Sequence, residues 1–153
     1  MLHILPGAEF VEQVEAWLQR LEAHASQLPV AKRVRLEVYA RTVRHRLHNG
    51  LARQLGWMTR LPPLVEGERL LLPLYSDGFG FSLIAISENS GESWQVSAPI
   101  LGVGAVQPTL LRRSDGTLVA FMRDNGAPPN PRVCCVLVRR WQALDRGAEN
   151  SLA

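Results

Sequence analysis

Apolar positions in the first third of the chain recur every three or four residues. Farther on they recur in short runs between turn-forming residues. From Phe10 the apolar side chains fall at Phe10, Val14, Trp17, Leu18 and Leu21, the spacing that puts them on one face of an α-helix. Pro6-Gly7 stands ahead of this run and Leu28-Pro29 closes it, since proline pushes the preceding residue out of helical geometry. A second run, Val34, Val38, Val43, Leu47, Leu51 and Leu55, keeps roughly one face and ends at Gly56, where a C-terminal cap belongs. The pattern predicts a helical hairpin over residues 1–56.

After Gly56 the period changes to two. Residues 69–74, 81–87, 109–112 and 118–123 are short and rich in Leu, Ile, Val and Phe. Ser76-Asp77-Gly78, Asn89-Ser90-Gly91 and Ser114-Asp115-Gly116 separate them. Strands joined by turns at this spacing predict an antiparallel meander. Four strands of that kind leave both faces and an edge uncovered, so the β half is expected to be unstable alone.

Composition narrows the class. The chain has 153 residues, 46% hydrophobic and 20% charged, enough apolar side chains for one packed domain and too many for disorder throughout. Cys134 and Cys135 are adjacent and lie outside any metal-ligand spacing, which excludes a disulfide scaffold and a zinc module. No cofactor or metal is implied. The opening MLHILPGAEF has no basic segment of a signal peptide, and no run approaches a membrane span. The expectation is a soluble, cytoplasmic chain without a membrane partner.

Net charge is +3, and much of the positive charge lies in the second helical run. Lys32, Arg33, Arg35, Arg41, Arg44, Arg46 and Arg53 face one acid, Glu37. Such a helix can grip phosphates, but no aromatic residues interleave with these arginines as a stacking platform requires. The run reads as the solvated face of an amphipathic helix, and nucleic acid is not the partner it favours. His24, His45 and His48 read as surface histidines.

Ser87-Glu88-Asn89-Ser90-Gly91-Glu92-Ser93-Trp94 fits S-x-D-x-G-x-T-W, with Asn for Asp and Ser for Thr. The spacing is mechanical: Asn89 can bond backbone groups across a tight turn, Gly91 supplies a positive φ, Ser93 ties the turn to the strand and Trp94 packs beneath. The pattern resembles the Asp-box of sialidase-type β-propellers, a structural hairpin clip. Leu55-Gly56-Trp57-Met58-Thr59-Arg60, Leu72-Pro73-Leu74-Tyr75-Ser76-Asp77-Gly78-Phe79, Val106-Gln107-Pro108 and the run from Asp115 to Gly126 follow in order. Together they resemble the bacterial sialidase-like family, whose members carry repeated Asp-boxes on a six-bladed propeller. The match covers roughly residues 7–135.

The resemblance implies a mainly β chain: one to two blades of such a propeller over 57–135, preceded by the helical hairpin. It also implies an acidic sugar as partner. Sialidases hold the sugar carboxylate with three arginines, because a planar fork pairs two donors with two oxygens. They use a Tyr nucleophile assisted by Glu, with Asp as acid/base. Arg123 stands where the family places one carboxylate-binding arginine; Asp124 and Asn125 follow it and either orient it or make an Asx turn. Tyr75, Ser76 and Asp77 stand at a strand exit, as substrate contacts or as a plain turn. Gln107 lies where the family carries the Glu that assists Tyr, and an amide cannot be a base; either the register differs there or the chemistry does. Arg132 is a second candidate anion contact.

No complete catalytic set can be assembled from these residues. The resemblance therefore implies part of a sialidase-like hydrolase of terminal acidic sugars, inactive by itself, or else a non-catalytic carbohydrate-binding propeller module. Past Cys135 the chain reads VLVRRWQALDRGAENSLA, with no second Asp-box. With suitable codons, a D-x-G-x-x-W core lies one nucleotide out of frame across this stretch. Residues 136–153 are accordingly read as an atypical, frameshifted tail.

Overall fold

Phe10, Val14 and Leu18 lie one turn apart on helix α1 (Ala8–Ala25), and all three are buried. The computed structural model describes residues 4–125 and the strand at 133–138. Helix α2 (Val30–Leu47) returns beside α1, and a short α3 (Gly50–Gln54) follows. Seven strands come next: β1 (Leu64–Glu66), β2 (Arg69–Ser76), β3 (Phe81–Ser87), β4 (Gln95–Val96), β5 (Ala105–Arg112), β6 (Leu118–Asp124) and β7 (Val133–Val138). They form two antiparallel sheets, β1-β2-β3-β4 and β5-β6-β7, here sheets A and B.

Two expectations about the helices change. The second helical run does not reach Leu55 unbroken, because Asn49 interrupts it and caps α3 with its Oδ1, accepting from the Ala52 N–H at 3.1 Å. The buried face of α2 is Ala40, Val43 and Leu47, whereas Val34, Val38 and Leu51 are 47%, 55% and 64% exposed. Arg44 fastens α2 to α1. Its guanidinium takes both oxygens of Glu22 at 2.9 and 3.1 Å and Glu15 Oε2 at 3.1 Å. Those hydrogen bonds raise the pKa of Arg44, and Arg44 in turn holds Glu22 below the usual carboxylate range. His24, His45 and His48 are exposed, and His48 Nε2 lies 2.9 Å from Glu15 Oε1.

The chain is not mainly β, since helix and strand take comparable shares of the described residues. The reason lies in how sheet A is covered. Strand side chains alternate between faces. On one face Leu74, Phe81, Leu83 and Ala85 join Phe10, Val14, Leu18, Ala40, Val43 and Leu47 of the helices in a single cluster. On the other, Leu71, Ile84 and Ile86 meet Ala105, Leu118, Ala120 and Met122 of sheet B. Every residue of β3 is buried. In the whole chain both faces of sheet A are closed, by helices on one side and by sheet B on the other.

Aromatic rings fill the helix-facing side. Trp57 stacks on Phe79 with centroids 5.7 Å apart, and Phe10 meets both rings edge-on at 6.1 Å. Phe81 packs among Phe10, Trp17, Trp57 and Phe79. Edge-on and offset contacts of this kind add to the gain from area burial.

The turn between β3 and β4 is a hydrogen-bonded clip. Asn89 Oδ1 accepts from the Ser93 N–H at 2.9 Å, Asn89 Nδ2 donates to Ser93 Oγ at 2.9 Å, and Ser87 Oγ accepts from the Gly91 N–H at 2.8 Å. Trp94 Nε1 donates to the Gly91 carbonyl at 2.9 Å, and the Ser90 N–H donates to the Glu68 carbonyl in the β1–β2 turn at 2.6 Å. Gly91 has φ +94°, and Ser90 is also left-handed at φ +57°. At the same end Glu66 of sheet A pairs with Arg112 of sheet B, and Arg69 lies 3.4 Å from Glu88 and 3.8 Å from Glu66.

Phe81→Ala removes a fully buried ring and is expected to cost about 3–5 kcal/mol, read as a lower urea midpoint. In the clip two substitutions should act with opposite sign. Ser90→Gly relieves a left-handed serine and should stabilise by about 0.5–1 kcal/mol. Asn89→Ala removes both bonds to Ser93 and should destabilise by about 1–2 kcal/mol. Equal midpoints for the two variants would show that the clip contributes nothing to stability.

Candidate binding site at the loop end of the sheets

The clip and the Glu66–Arg112 pair lie at one end of the two sheets; the candidate residues lie at the other. Tyr75 pairs with Ser82 near the end of β2, next to the turn that carries Asp77. Ala105 and Val106 at the start of β5 pair with Asp124 and Arg123 at the end of β6. Three bonds stitch these ends together: Ser82 Oγ donates to the Ala105 carbonyl at 2.7 Å, the Gly104 N–H to the Gly80 carbonyl at 2.9 Å, and the Asn125 N–H to the Gly104 carbonyl at 2.9 Å. Tyr75, Asp77, Gln107, Arg123 and Asp124 therefore share one end of the molecule. Arg132 lies outside the described residues.

Within that end the residues are divided between layers. Tyr75 is buried, on the face of sheet A that looks toward sheet B, because its partner Ser82 reaches the Ala105 carbonyl there. Leu118, Ala120 and Met122 fill the inter-sheet core, so alternation turns Phe121 and Arg123 to the outer face of sheet B, where both are exposed. Asp77 is exposed in a turn that Ser76 braces, its Oγ accepting from the Phe79 N–H and its carbonyl from the Gly80 N–H.

Gln107 is held in an uncommon conformation. The register of β5 against β6 shifts between Val106 and Thr109, and Gln107 sits in this bulge with φ +56°. A left-handed residue with a Cβ costs roughly 1 kcal/mol or more, and bulges re-aim side chains at sheet edges. The Gln107 amide accepts from Arg60 Nη1 at 3.0 Å through its Oε1. Arg60 was not among the candidates from sequence; it precedes β1 and meets Gln107 only through the fold. What the bulge presents is an amide–guanidinium pair, a donor-rich group suited to an anion and without a base.

The two tyrosines differ in setting. Tyr39 donates its hydroxyl to the Phe79 carbonyl at 2.7 Å, and burial raises its pKa well above the phenol range. Tyr75 is only 9% exposed. Among the described residues no group of three or more His, Cys, Asp or Glu is arranged to hold a metal, and no helix is long and apolar enough to cross a membrane. Compared with known proteins, the chain matches no family model, no curated protein and no solved structure.

If the bulge sets the backbone at Gln107, Gln107→Gly should keep or raise the thermal midpoint, because glycine adopts a positive φ freely. Gln107→Val should lower stability by more than about 1 kcal/mol, since a β-branched residue is a poor left-handed one. Equal midpoints for the two variants would mean that the bulge is not fixed.

Proposed function

We propose that the chain is a portion of a sialidase-type propeller that binds an acidic sugar at the loop end of its two sheets and does not hydrolyse it alone. The observation that carries the reading is the Asn89 clip. It lies between the third and fourth strands of a four-stranded antiparallel sheet, with the next sheet following directly in the chain. An Asp-box is a hairpin clip of this kind, distant from the ligand, and the opposite end of the sheets is left for one. Arg123 and the Arg60–Gln107 pair at that opposite end supply planar donors for a carboxylate.

The non-catalytic version is favoured over the hydrolytic one by three observations. Gln107 offers an amide where a base would be needed, the Tyr39 hydroxyl is tied to the Phe79 carbonyl, and Tyr75 is buried. A carboxylate held by two arginines without a nucleophile is bound and released unchanged.

The test is calorimetric titration of the whole chain with 3′-sialyllactose and with lactose. Sialyllactose should bind and lactose should not, and Arg123→Ala should weaken binding by about tenfold or more. A fluorogenic sialoside should not be turned over. Equal binding of the acidic and neutral sugars would remove the reading, and turnover would remove its non-catalytic form.

A further inference from the structure

Helix α2 carries apolar side chains on two opposite faces, and the fold covers one of them. Ala40, Val43 and Leu47 enter the core cluster shared with α1 and sheet A. Val30, Val34 and Val38 stand about one turn apart on the other side of the helix, and they are 65%, 47% and 55% exposed. A surface helix ordinarily keeps its outer face polar, whereas one that is apolar on both sides belongs between two layers. For α2 the described residues supply only the inner layer.

The valine row runs on into basic residues. Arg41 and His45 follow it on the same face, and Arg35 flanks it; all three are exposed. Three other cations of α2 are engaged elsewhere. Arg33 pairs with Glu37 at 3.6 Å, and Arg44 is held by Glu15 and Glu22. Arg46 rests on Gly78 of the β2–β3 turn, where an added Cβ would come 2.7 Å from its Cζ. The side chains of Arg35 and Arg41 have no hydrogen bond or ion pair among the described residues. Over its whole length α2 has six Lys and Arg to one acid.

Apolar surface next to unpaired guanidinium groups narrows the choice of occupant. An anionic lipid surface is entered by Trp, Phe and Leu, and this row has only short valines. A phosphate backbone would meet three side chains that return no hydrogen bond. A second copy in a two-fold pairing would bring two faces of the same sign together. Small, stiff valines instead suit the close approach of another helix, at about 8–10 Å between axes. We propose that the outer face of α2 docks an acidic amphipathic helix of a partner protein. Its apolar residues pack on Val30, Val34 and Val38, and its carboxylates meet Arg35 and Arg41. This docking does not depend on the acidic-sugar reading, because its residues lie on the side of α2 turned away from sheet A.

The experiment measures binding of the whole chain to two fluorescein-labelled helical peptides. Both present leucines at i, i+4 and i+7, and they differ in carrying Glu or Lys at the flanking positions. The Glu peptide should bind about tenfold tighter or more. Val34→Ser with Val38→Ser should weaken it by about tenfold or more and leave the thermal midpoint unchanged, since both side chains are exposed. Arg35→Glu with Arg41→Glu should reverse the preference in favour of the Lys peptide, a result that loss of folding cannot imitate. The proposal is overturned if the Glu peptide does not bind, if the two peptides bind wild type equally, or if the valine substitutions leave binding intact. It is also overturned if those substitutions abolish binding to phosphatidylserine vesicles or to a short DNA duplex, or abolish a dimer of the chain, because the face then belongs to that occupant.

Discussion

Burial of sheet A on both faces is the constraint from which the rest of the structure follows. A four-stranded sheet of this length cannot hide its apolar side chains by itself, and β3, buried from Phe81 to Ser87, has no solvent face at all. Its odd-numbered side chains need the helices, and its even-numbered ones need sheet B. The ring cluster of Phe10, Trp57, Phe79 and Phe81 is the densest part of this arrangement. It joins α1, the segment before β1, the β2–β3 turn and β3 in one contact set. Placing the hairpin therefore also places the turn that carries Asp77 and Gly78.

The two ends of the sheets are built by different means. At the clip end, side chains bond to neighbouring backbone within Ser87–Asn89–Gly91–Ser93, and the Glu66–Arg112 pair crosses between sheets. At the loop end the cross-links are mostly backbone, through Gly80, Gly104 and Asn125. At the clip end Ser87, Asn89, Ser93, Glu66 and Arg112 are consumed in structure. At the loop end backbone bonds carry much of the connection, which frees Arg46 and Arg123 to face solvent. A division of this sort, with rigid framework at one end and available side chains at the other, is what a binding site on a scaffold requires.

What could be read from the sequence was what is encoded locally. The spacing of Phe10, Val14 and Leu18 gave α1, the turn residues bounded β2, β3 and β6, and the eight residues from Ser87 contained the donors and acceptors of the clip. The face of α2 misled because its valines at 34 and 38 point to solvent, while the small Ala40 and the amphipathic Tyr39 face the core. Asn49, followed by Gly50, is a cap signal that the surrounding leucines masked. Strands β1 and β4, of three and two residues, are too short to show a period. The Arg60–Gln107 pair joins residues 47 positions apart. Like the approach of Arg46 to Gly78, it belongs to the tertiary fold and leaves no trace in any local window.

The position of the hairpin also gives the stack of layers a polarity. In a ring of blades each sheet is sandwiched between two like itself, whereas sheet A has helices on one side and a sheet on the other. Helices with a buried inner face and a charged outer one behave as the end piece of a repeating stack. Among the described residues, the outer face of sheet B offers a further sheet exposed apolar side chains, Phe121 and Leu111. Joining on the other side would first require prising the hairpin from the aromatic cluster. The hairpin and a neighbouring sheet would compete there for the same apolar side chains.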